Sequence, residues 1–518
     1  MQSEMSEMSE TLLDTWRRLV AQGPDKLAVI DGGTGRSWSR GALDAAAAQW
    51  LAAVPAEARG RLRRRRVVMA EPNGARWFQV FLGLLEAGAV PALADSKEAA
   101  ERLAVIAEVT RAAAVWSEER LAFGVRDFSP AFDAPIHWPA SRSSGSGINP
   151  AVKSGTEVPH STRDSIKGRE AARARRGDLC LVKLTSGSTG APRALDFTHA
   201  QMLADGRQLC AAMGIGAEDL NLAVIPLGHS YGLGNLVVPL LEQGSPVLCA
   251  ASPFPQAIAA DCARWKPSVF PAVPVLLRAL AGADVAPENL ASLRLVISSG
   301  APIAREDATA FAAKFGRRVH NFYGSSETGG IAFDCEGGAA EAGAAGGRGV
   351  GRLVAGVRLH WRRGKRFAVE SAAVVGREGR GRRGGCGGRG RYMMPDRGEM
   401  NALGELVLLG RAGRMLKIAG RRLDPVEVEN ALRALAGVRD AFVAAHPERA
   451  DALAAVVASD AAGAGAAAGA VIAEWRGRLA RCLAAWKIPD RIHIVPAFPV
   501  TQRGKIDRAA LVRMLAGG

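Results

Sequence analysis

The residues of this chain best suited to chemistry begin with a run of hydroxyl and glycine residues after a short apolar segment. Leu181, Val182 and Leu184 predict a buried strand, and small polar side chains follow them. Glycines let the backbone approach an anion with its N–H groups turned inward, and hydroxyl groups and an arginine add further donors. We therefore predict a phosphate-binding loop made of Thr185, Ser186, Gly187, Ser188, Thr189, Gly190 and Arg193.

The spacing within this loop excludes two common nucleotide-binding patterns. The pattern GxxxxGK[ST] needs its second glycine where this chain has Pro192, and no GxGxxG follows a predicted strand elsewhere. A Ser/Gly-rich surface turn is the alternative interpretation of the same residues. Segments further along the chain favour the phosphate-binding interpretation.

Three further segments carry polar residues where a predicted strand ends. Ligands of open parallel sheets collect at the carboxyl ends of the strands, so these segments and the loop are expected to converge on one cleft. The candidates are His229, Ser230 and Tyr231 in the first segment, Gly300, Ala301 and Pro302 in the second, and Tyr323, Ser326 and Glu327 in the third.

An acidic and a basic residue flank another predicted strand. Asp396 precedes Arg411 by 15 positions (411 − 396), and the strand 404–411 lies between them. A carboxylate that accepts hydrogen bonds from two neighbouring hydroxyl groups is suited to recognising a ribose. Near the C-terminus, Lys505 stands in the segment TQRGKIDR, where a lone lysine would otherwise be a solvated charge.

Taken in this order, the segments closely resemble the motifs of the AMP-forming adenylating enzymes. That superfamily contains acyl- and aryl-CoA ligases, the adenylation domains of peptide synthetases and beetle luciferases. The matching segments are spread from residue 25 to residue 511. Three positions depart from the family pattern. Arg193 replaces the usual lysine and Ser326 the usual threonine, so the charge and the hydroxyl group are retained, and Gly413 replaces a residue that is generally charged.

The resemblance implies how the site would bind ATP and Mg²⁺. The loop 185–193 would hold the β- and γ-phosphates, and Glu327 would bind Mg²⁺ beside Ser326, which would contact the α-phosphate. Tyr323 would stack on adenine, with Gly300, Ala301 and Pro302 lining the adenine and acyl sites. Asp396 and Arg411 would hold the ribose.

The resemblance also assigns the acyl pocket and the moving parts. His229, Ser230 and Tyr231 would line the pocket, and since this loop has no acidic residue, an α-amino acid substrate is disfavoured. Lys505 would be the catalytic lysine between the carboxylate and the α-phosphate. Gly413 takes the place of a charged hinge residue, about which a small domain would turn to open a thiol tunnel beside Gly420.

The implied reaction is ATP-dependent formation of an acyl-adenylate, followed by transfer of the acyl group to a thiol. Coenzyme A is the first choice of acceptor, and the phosphopantetheine of a carrier protein is the alternative. A degenerate nucleotide-binding homologue without turnover is a rival from a different class. The acid, its chain length and the oligomeric state are left open.

Length and patterning predict the fold that would position these residues. A chain of 518 residues is too long for one ordinary core. Alternating strand and helix patterns, with Ser39 as a helix N-cap, predict an α/β fold with parallel-rich sheets covered by helices. We expect a large N-terminal domain over 1–411 and a small, mobile α+β C-terminal domain over 412–518, with flexible connections at 140–178 and 376–391 and a linker at 461–470.

Composition bounds the partners and the compartment. The net charge of +16 invites a nucleic-acid interpretation, but the Arg/Gly stretch lacks interleaved aromatic residues, so no nucleic-acid partner is expected. The same charge would attract polyanions such as ATP or coenzyme A. Seven scattered cysteines, an acidic N-terminus and the lack of a long apolar run predict a cytoplasmic protein without disulfides or a membrane span.

Overall fold

The computed structural model describes thirteen stretches of the chain, and the statements below apply to them. They are residues 10–117, 120–123, 134–135, 179–186, 192–342, 349–375, 390–411, 416–418, 421–423, 425–449, 452–463, 468–501 and 506–516. The predicted flexible connection 140–178, the residues Gly187, Ser188, Thr189 and Gly190, most of 376–391, Gly413, Gly420 and Lys505 lie outside them.

A nine-stranded sheet forms one half of the large α/β body. Its strands are β1 (Leu27–Asp31), β2 (Arg36–Ser39), β10 (Asn221–Ala223), β11 (Val247–Cys249), β12 (Val269–Ala272), β13 (Leu295–Ser298), β14 (Val319–Ser325), β15 (Gly329–Phe333) and β16 (Arg352–Leu353). They lie in the order β16-β15-β14-β13-β12-β10-β11-β1-β2. The six inner strands from β14 to β1 are parallel, and β2, β15 and β16 pair antiparallel at the edges. The inner strands are short apolar runs, as expected of parallel strands covered on both faces.

A seven-stranded sheet forms the other half. Its strands are β3 (Arg66–Ala70), β4 (Val90–Leu93), β5 (Ala114–Ser117), β6 (Arg120–Phe123), β7 (Ala134–Pro135), β8 (Leu179–Ser186) and β9 (Pro192–Thr198). They lie in the order β7-β6-β5-β3-β4-β8-β9. The four strands β5, β3, β4 and β8 are parallel, and β9 pairs antiparallel with β8. The predicted phosphate-binding loop therefore joins two strands of a hairpin.

Helices cover these two sheets. They are α1 (Leu12–Gln22), α2 (Arg40–Ala53), α3 (Ala56–Leu62), α4 (Ala75–Glu86), α5 (Ala100–Thr110), α6 (His199–Met213), α7 (Ser230–Gly232), α8 (Val238–Gln243), α9 (Pro255–Trp265), α10 (Pro274–Gly282), α11 (Arg305–Phe315) and α12 (Ala339–Ala342). Ser39 caps α2 as predicted, because its side chain accepts a hydrogen bond from the Ala42 N–H. The predicted α/β class is confirmed.

Smaller sheets complete the described chain. A four-stranded sheet has the order β17 (Arg358–Arg362), β18 (Arg366–Ser371), β19 (Gly390–Met400), β20 (Leu406–Arg411). A two-stranded sheet follows, made of β21 (Leu416–Ile418) and β22 (Arg421–Leu423). A three-stranded sheet comes next, made of β23 (Val438–Ala445), β24 (Leu453–Ser459) and β25 (Arg491–Val495). The helices of this region are α13 (Pro425–Arg433), α14 (Ala468–Leu479) and α15 (Arg508–Ala516). Since α14 begins at Ala468, the predicted linker 461–470 extends too far.

Large aromatic side chains fill the core where α2 and α4 pack. Trp50 and Trp116 meet edge to face with ring centroids 5.2 Å apart, and Trp77 stacks on Phe81 at 4.9 Å. All four are almost completely buried, and aromatic pairs of this kind add to the hydrophobic stabilisation of a core. Within the described ranges, no helix combines the length and the apolar character needed to cross a membrane.

Candidate active site

The hairpin of β14 and β15 carries three of the predicted site residues. After the parallel pairing of Ser298 with Asn321, β14 continues past the end of β13 and pairs antiparallel with β15. Tyr323 lies on this extension, and Ser326 and Glu327 lie in the turn that follows it. The strand extension thus moves their side chains beyond the carboxyl end of the parallel sheet, where a ligand would bind.

Tyr323, Asp396 and Arg411 form a cluster between the nine-stranded and four-stranded sheets. The Tyr323 hydroxyl donates a hydrogen bond to Asp396 Oδ2 at 2.7 Å, and Arg411 Nε lies 3.4 Å from Asp396 Oδ1. Asp396 and Arg411 are direct cross-strand partners on β19 and β20, which explains their 15-residue separation in the sequence. Burial and the Asp396 carboxylate together raise the pKa of Tyr323, so the phenol stays neutral and remains a donor.

A second tyrosine links the hairpin tip to the charged residues. The Tyr392 hydroxyl on β19 donates to Glu327 Oε1 at 3.3 Å. Burial and the Glu327 charge raise the pKa of Tyr392, and the positive charges of Arg193 and Arg411 oppose that rise. The charges of Arg193, Arg411 and Glu327 therefore all act on one phenol, which is hydrogen-bonded to the hairpin tip. Sequence reasoning did not select Tyr392, although it opens the segment that ends on Asp396.

The base of the predicted phosphate loop is a short, regular hairpin. Thr185 pairs with Arg193, and Ser186 with Pro192, across β8 and β9. Arg193 is exposed, whereas Thr185 is half-buried. The loop residues between these pairs lie outside the described ranges, so their predicted contacts with phosphate remain predictions.

The predicted acyl-pocket residues meet the hairpin tip on its other side. Ser230 donates a hydrogen bond to the Ser326 hydroxyl oxygen at 2.9 Å. The Tyr231 hydroxyl donates to the Ile297 carbonyl oxygen at 3.3 Å, so this side chain is anchored to β13. Ser230 and Tyr231 begin a helix, with His229 as its N-cap, whereas the sequence predicted a loop here.

An acidic residue that sequence reasoning missed lies beside His229. Asp95 Oδ2 is 3.7 Å from His229 Nε2, and both side chains are partly exposed. Asp95 follows β4 at the carboxyl end of the seven-stranded sheet, so its position at a strand end was the available signal. The His229–Tyr231 segment itself has no acidic residue, as noted from the sequence, but the neighbouring strand end supplies one.

The predicted adenine-side loop lies next to the strand that bears Tyr323. Gly300, Ala301 and Pro302 follow β13, and β13 is hydrogen-bonded to β14. Gly300 has a φ of +87°, a left-handed conformation that side chains adopt rarely, which explains a glycine at this turn. The arrangement places this loop after the strand that neighbours the one bearing Tyr323.

The donor set at this site suits a magnesium–nucleotide complex. Magnesium is commonly held by one or two carboxylates together with substrate phosphates, not by a cage of protein ligands. Glu327 offers such a carboxylate at the hairpin tip, and the positive charges of Arg193 and Arg411 suit the phosphates of a nucleotide. In the described part of the chain, no group of three or more His, Cys, Asp or Glu side chains forms a metal cage. The residues present therefore fit a cation held mainly by its nucleotide.

Two protein-family models match this chain, one over most of its N-terminal part and one near its C-terminus. The family model described as AMP-binding enzyme matches residues 16–362, and the model described as AMP-binding enzyme C-terminal domain matches residues 427–505. The first match covers β8, β9 and the β14–β15 hairpin. The second spans the β23–β25 sheet and ends at Lys505.

Curated relatives and solved structures resemble the chain over most of its length. A benzoate–CoA ligase from Thauera aromatica is 29% identical over 367 residues, which cover 66% of this chain and 67% of the relative. A salicyl-AMP ligase/salicyl-S-ArCP synthetase from Mycobacterium tuberculosis is 25% identical over 95% of this chain and 88% of the relative. The crystal structure of a benzoate CoA ligase from Burkholderia xenovorans LB400 aligns with a TM-score of 0.72 and 21% identity, covering 97% of this chain and 99% of that one, and it supports the fold alone.

Proposed function

Since the chain belongs to the AMP-binding enzyme family, we propose that it is an AMP-forming acid–thiol ligase. It activates a carboxylic acid as acyl-AMP with release of pyrophosphate and then transfers the acyl group to a thiol. The observation that carries the proposal is the convergence of Tyr323, Asp396 and Arg411 beside the Ser326–Glu327 tip. In this proposal, the cluster would bind the nucleoside part of ATP, and the Glu327 carboxylate would face its phosphates.

The substrate class that we propose is an aromatic carboxylic acid. Two of the relatives are named for benzoate and for salicylate, and both are aryl acids. The same two relatives leave the acceptor open, because one is named as a CoA ligase and the other as the synthetase of a carrier-bound thioester. We propose coenzyme A as the acceptor, with carrier-protein phosphopantetheine as the alternative.

The first step needs positioning and charge, not a general base. A carboxylic acid with a pKa of about 4 is already ionised at neutral pH, and its carboxylate can attack the α-phosphate directly. Asp396 and Arg411 would hold the ribose, and Ser326 would donate to the α-phosphate. Arg193 would bind the leaving phosphates, and Lys505 would approach both the acid and the α-phosphate. When bound at Glu327, Mg²⁺ would neutralise phosphate charge.

The second step needs the catalytic lysine to leave. We propose that 1–411 and 412–518 are separate domains, which is supported by the two family models matching 16–362 and 427–505. A turn about Gly413 would withdraw Lys505 and admit the thiol beside Gly420. A glycine permits many backbone angles, so the hinge would move freely between the two steps.

We also propose that the enzyme works in the cytoplasm. Six cysteines in the described ranges are free thiols, and four of these are buried. Reduced thiols are typical of a reducing compartment. Both acceptors considered above are intracellular thiols, in keeping with this location.

The acceptor is tested by titrating the purified enzyme, ATP and benzoate with either coenzyme A or a holo carrier protein. We expect benzoyl-CoA to form at a rate that saturates as the concentration of coenzyme A rises. A carrier protein lacking its phosphopantetheine arm is the control, and it should give no thioester. Thioester that forms only on the holo carrier protein would overturn coenzyme A as the acceptor and support the alternative.

A further inference from the structure

A buried lysine lies on β8, two residues before the predicted phosphate loop begins at Thr185, and none of the steps above uses it. Lys183 on β8 is 2% exposed, and its Nζ lies 4.0 Å from the centre of the Phe197 ring. Transferring an ammonium group into an apolar interior is costly unless opposite charges accompany it. In the sequence this lysine interrupts an apolar strand, so it has the position of a core residue and the chemistry of a charged one.

Two carboxylates act on this lysine from other elements. Burial lowers the pKa of Lys183, and the negative charges of Asp205 and Glu327 oppose that change. Asp205 lies on α6 and is 4% exposed, and burial raises its pKa while the charge of Lys183 lowers it. Lys183 thus lies within electrostatic reach of both α6 and the tip of the β14–β15 hairpin.

The Asp205 side chain packs against the backbone of the β14–β15 hairpin. Its Oδ1 accepts a hydrogen bond from the Gly330 N–H at 3.0 Å. A Cβ atom added to Gly329 would lie 2.1 Å from the same oxygen, and Gly329 has a φ of +69°. The hairpin therefore has glycine where the carboxylate approaches most closely. Gly329 and Gly330 follow Glu327 by only two and three residues, so Asp205 supports the segment that presents the Glu327 carboxylate.

Lys183 connects this support to the other sheet. It lies two residues before Thr185, in the part of β8 that pairs regularly with β9. The strand that leads into the phosphate loop belongs to the seven-stranded sheet, whereas the hairpin belongs to the nine-stranded sheet. Helix α6, which carries Asp205, contacts both β8 and β15, so the buried charges of Lys183 and Asp205 lie on elements that join the two sheets.

We propose that Lys183 and Asp205 are positioning residues that hold the β14–β15 hairpin against β8, so that Glu327 and the predicted phosphate loop can bind the same magnesium–nucleotide complex. The inference rests on the proposed nucleotide site and extends it to two residues that touch neither nucleotide nor metal. Supporting groups of this kind orient the groups that bind a metal, and their loss typically weakens metal binding about 10–100-fold. Their contribution should therefore depend on Mg²⁺.

The test measures equilibrium binding of a non-hydrolysable ATP analogue with and without Mg²⁺, which requires no knowledge of the acid. We expect Mg²⁺ to tighten binding to the wild type. In Lys183→Met and Asp205→Asn, we expect that Mg²⁺-dependent gain to fall about tenfold or more. Two variants are used because either one could fold poorly, and thermal denaturation identifies a variant that does.

The matched control removes an ion pair between an exposed arginine and a largely buried aspartate that lie far from the site. Arg294 Nε lies 2.8 Å from Asp219 Oδ1, where β10 and β13 begin, at the opposite end of the strands. Arg294→Met should lower the melting temperature but keep the full Mg²⁺-dependent gain. A purely structural role for Lys183 would give the same pattern as this control.

The outcomes separate the inference from the function on which it rests. A wild type that does not bind the nucleotide analogue would overturn the proposed function together with the inference. A wild type that binds with an Mg²⁺-dependent gain, retained in both Lys183→Met and Asp205→Asn, would overturn the inference alone. Loss of the gain in these two variants and its retention in Arg294→Met would support it.

Discussion

Replacing Lys505 with alanine should lower the rate of ATP–pyrophosphate exchange about 10²–10³-fold, the usual effect of removing one charge-stabilising donor from a transition state. The lysine is expected to bridge the attacking carboxylate and the α-phosphate, where negative charge accumulates during adenylation. It has no such role once the adenylate exists. Thiolysis of a supplied acyl-adenylate by coenzyme A should therefore keep most of its rate.

Lys487→Ala is the matched control for this variant. Lys487 also lies in the C-terminal part of the chain, where its Nζ is 2.5 Å from Glu427 Oε1, and surface pairs of this kind contribute little to stability. Its removal should leave both half-reactions unchanged. Equal losses of exchange and thiolysis in Lys505→Ala would contradict the assigned role, since they would indicate general damage to the enzyme.

Replacing Asp396 with alanine should raise the KM for ATP about 10²–10⁴-fold, because two hydrogen bonds to a charged group are each worth about 1.5–3 kcal/mol. The carboxylate is expected to accept both ribose hydroxyl groups. Its loss would also leave the partly buried Tyr323 hydroxyl and Arg411 without the partner that orients them. Steady-state kinetics with ATP and the acid varied separately would measure the change.

Tyr323→Phe separates the contribution of the Tyr323 hydroxyl group from that of the Asp396 carboxylate. It removes the 2.7 Å hydrogen bond but keeps the aromatic ring and the carboxylate, so the KM for ATP should rise less than tenfold. Asp440→Ala removes an acidic partner of Arg433 outside the site and should leave the KM for ATP unchanged. If Asp396→Ala raised the KM for the acid and left that for ATP unchanged, the ribose assignment would be wrong.

The sequence could predict features that depend on local pattern or on strand direction. The Ser39 cap and the strands that precede the candidate loops follow from short-range signals, and the structure has them. The separation of Asp396 and Arg411 corresponds to a hairpin register, which brings two distant residues into direct pairing. Such features require no knowledge of how one sheet packs on another.

The features that escaped prediction depend on contacts between separate elements. Tyr392 meets Glu327 across 65 residues, and Asp95 reaches His229 from the other large sheet. Lys183 stands in the sequence among the apolar residues of a predicted strand, and nothing in its neighbourhood shows that Asp205 lies on a helix that contacts this strand. Periodicity assigns a residue to a face of its own element, but not to a partner on another element.

The predicted linker at 461–470 fails for a more local reason. Its alanines and glycines together predict a flexible segment, yet α14 begins at Ala468. Alanine has the highest helix propensity of any residue, so an Ala-rich segment can also start a helix. The first residues of α14 therefore lie within the predicted linker.

The central claim is that separate strand ends and a C-terminal lysine meet around one ATP molecule to activate a carboxylic acid. ATP–pyrophosphate exchange, measured across a panel of aromatic and aliphatic acids, tests it most directly. We predict acid-dependent exchange that saturates with an aromatic acid such as benzoate and disappears when Mg²⁺ is removed. A folded enzyme that binds ATP but catalyses no exchange with any acid of the panel would contradict the claim and identify the chain as a degenerate nucleotide-binding homologue.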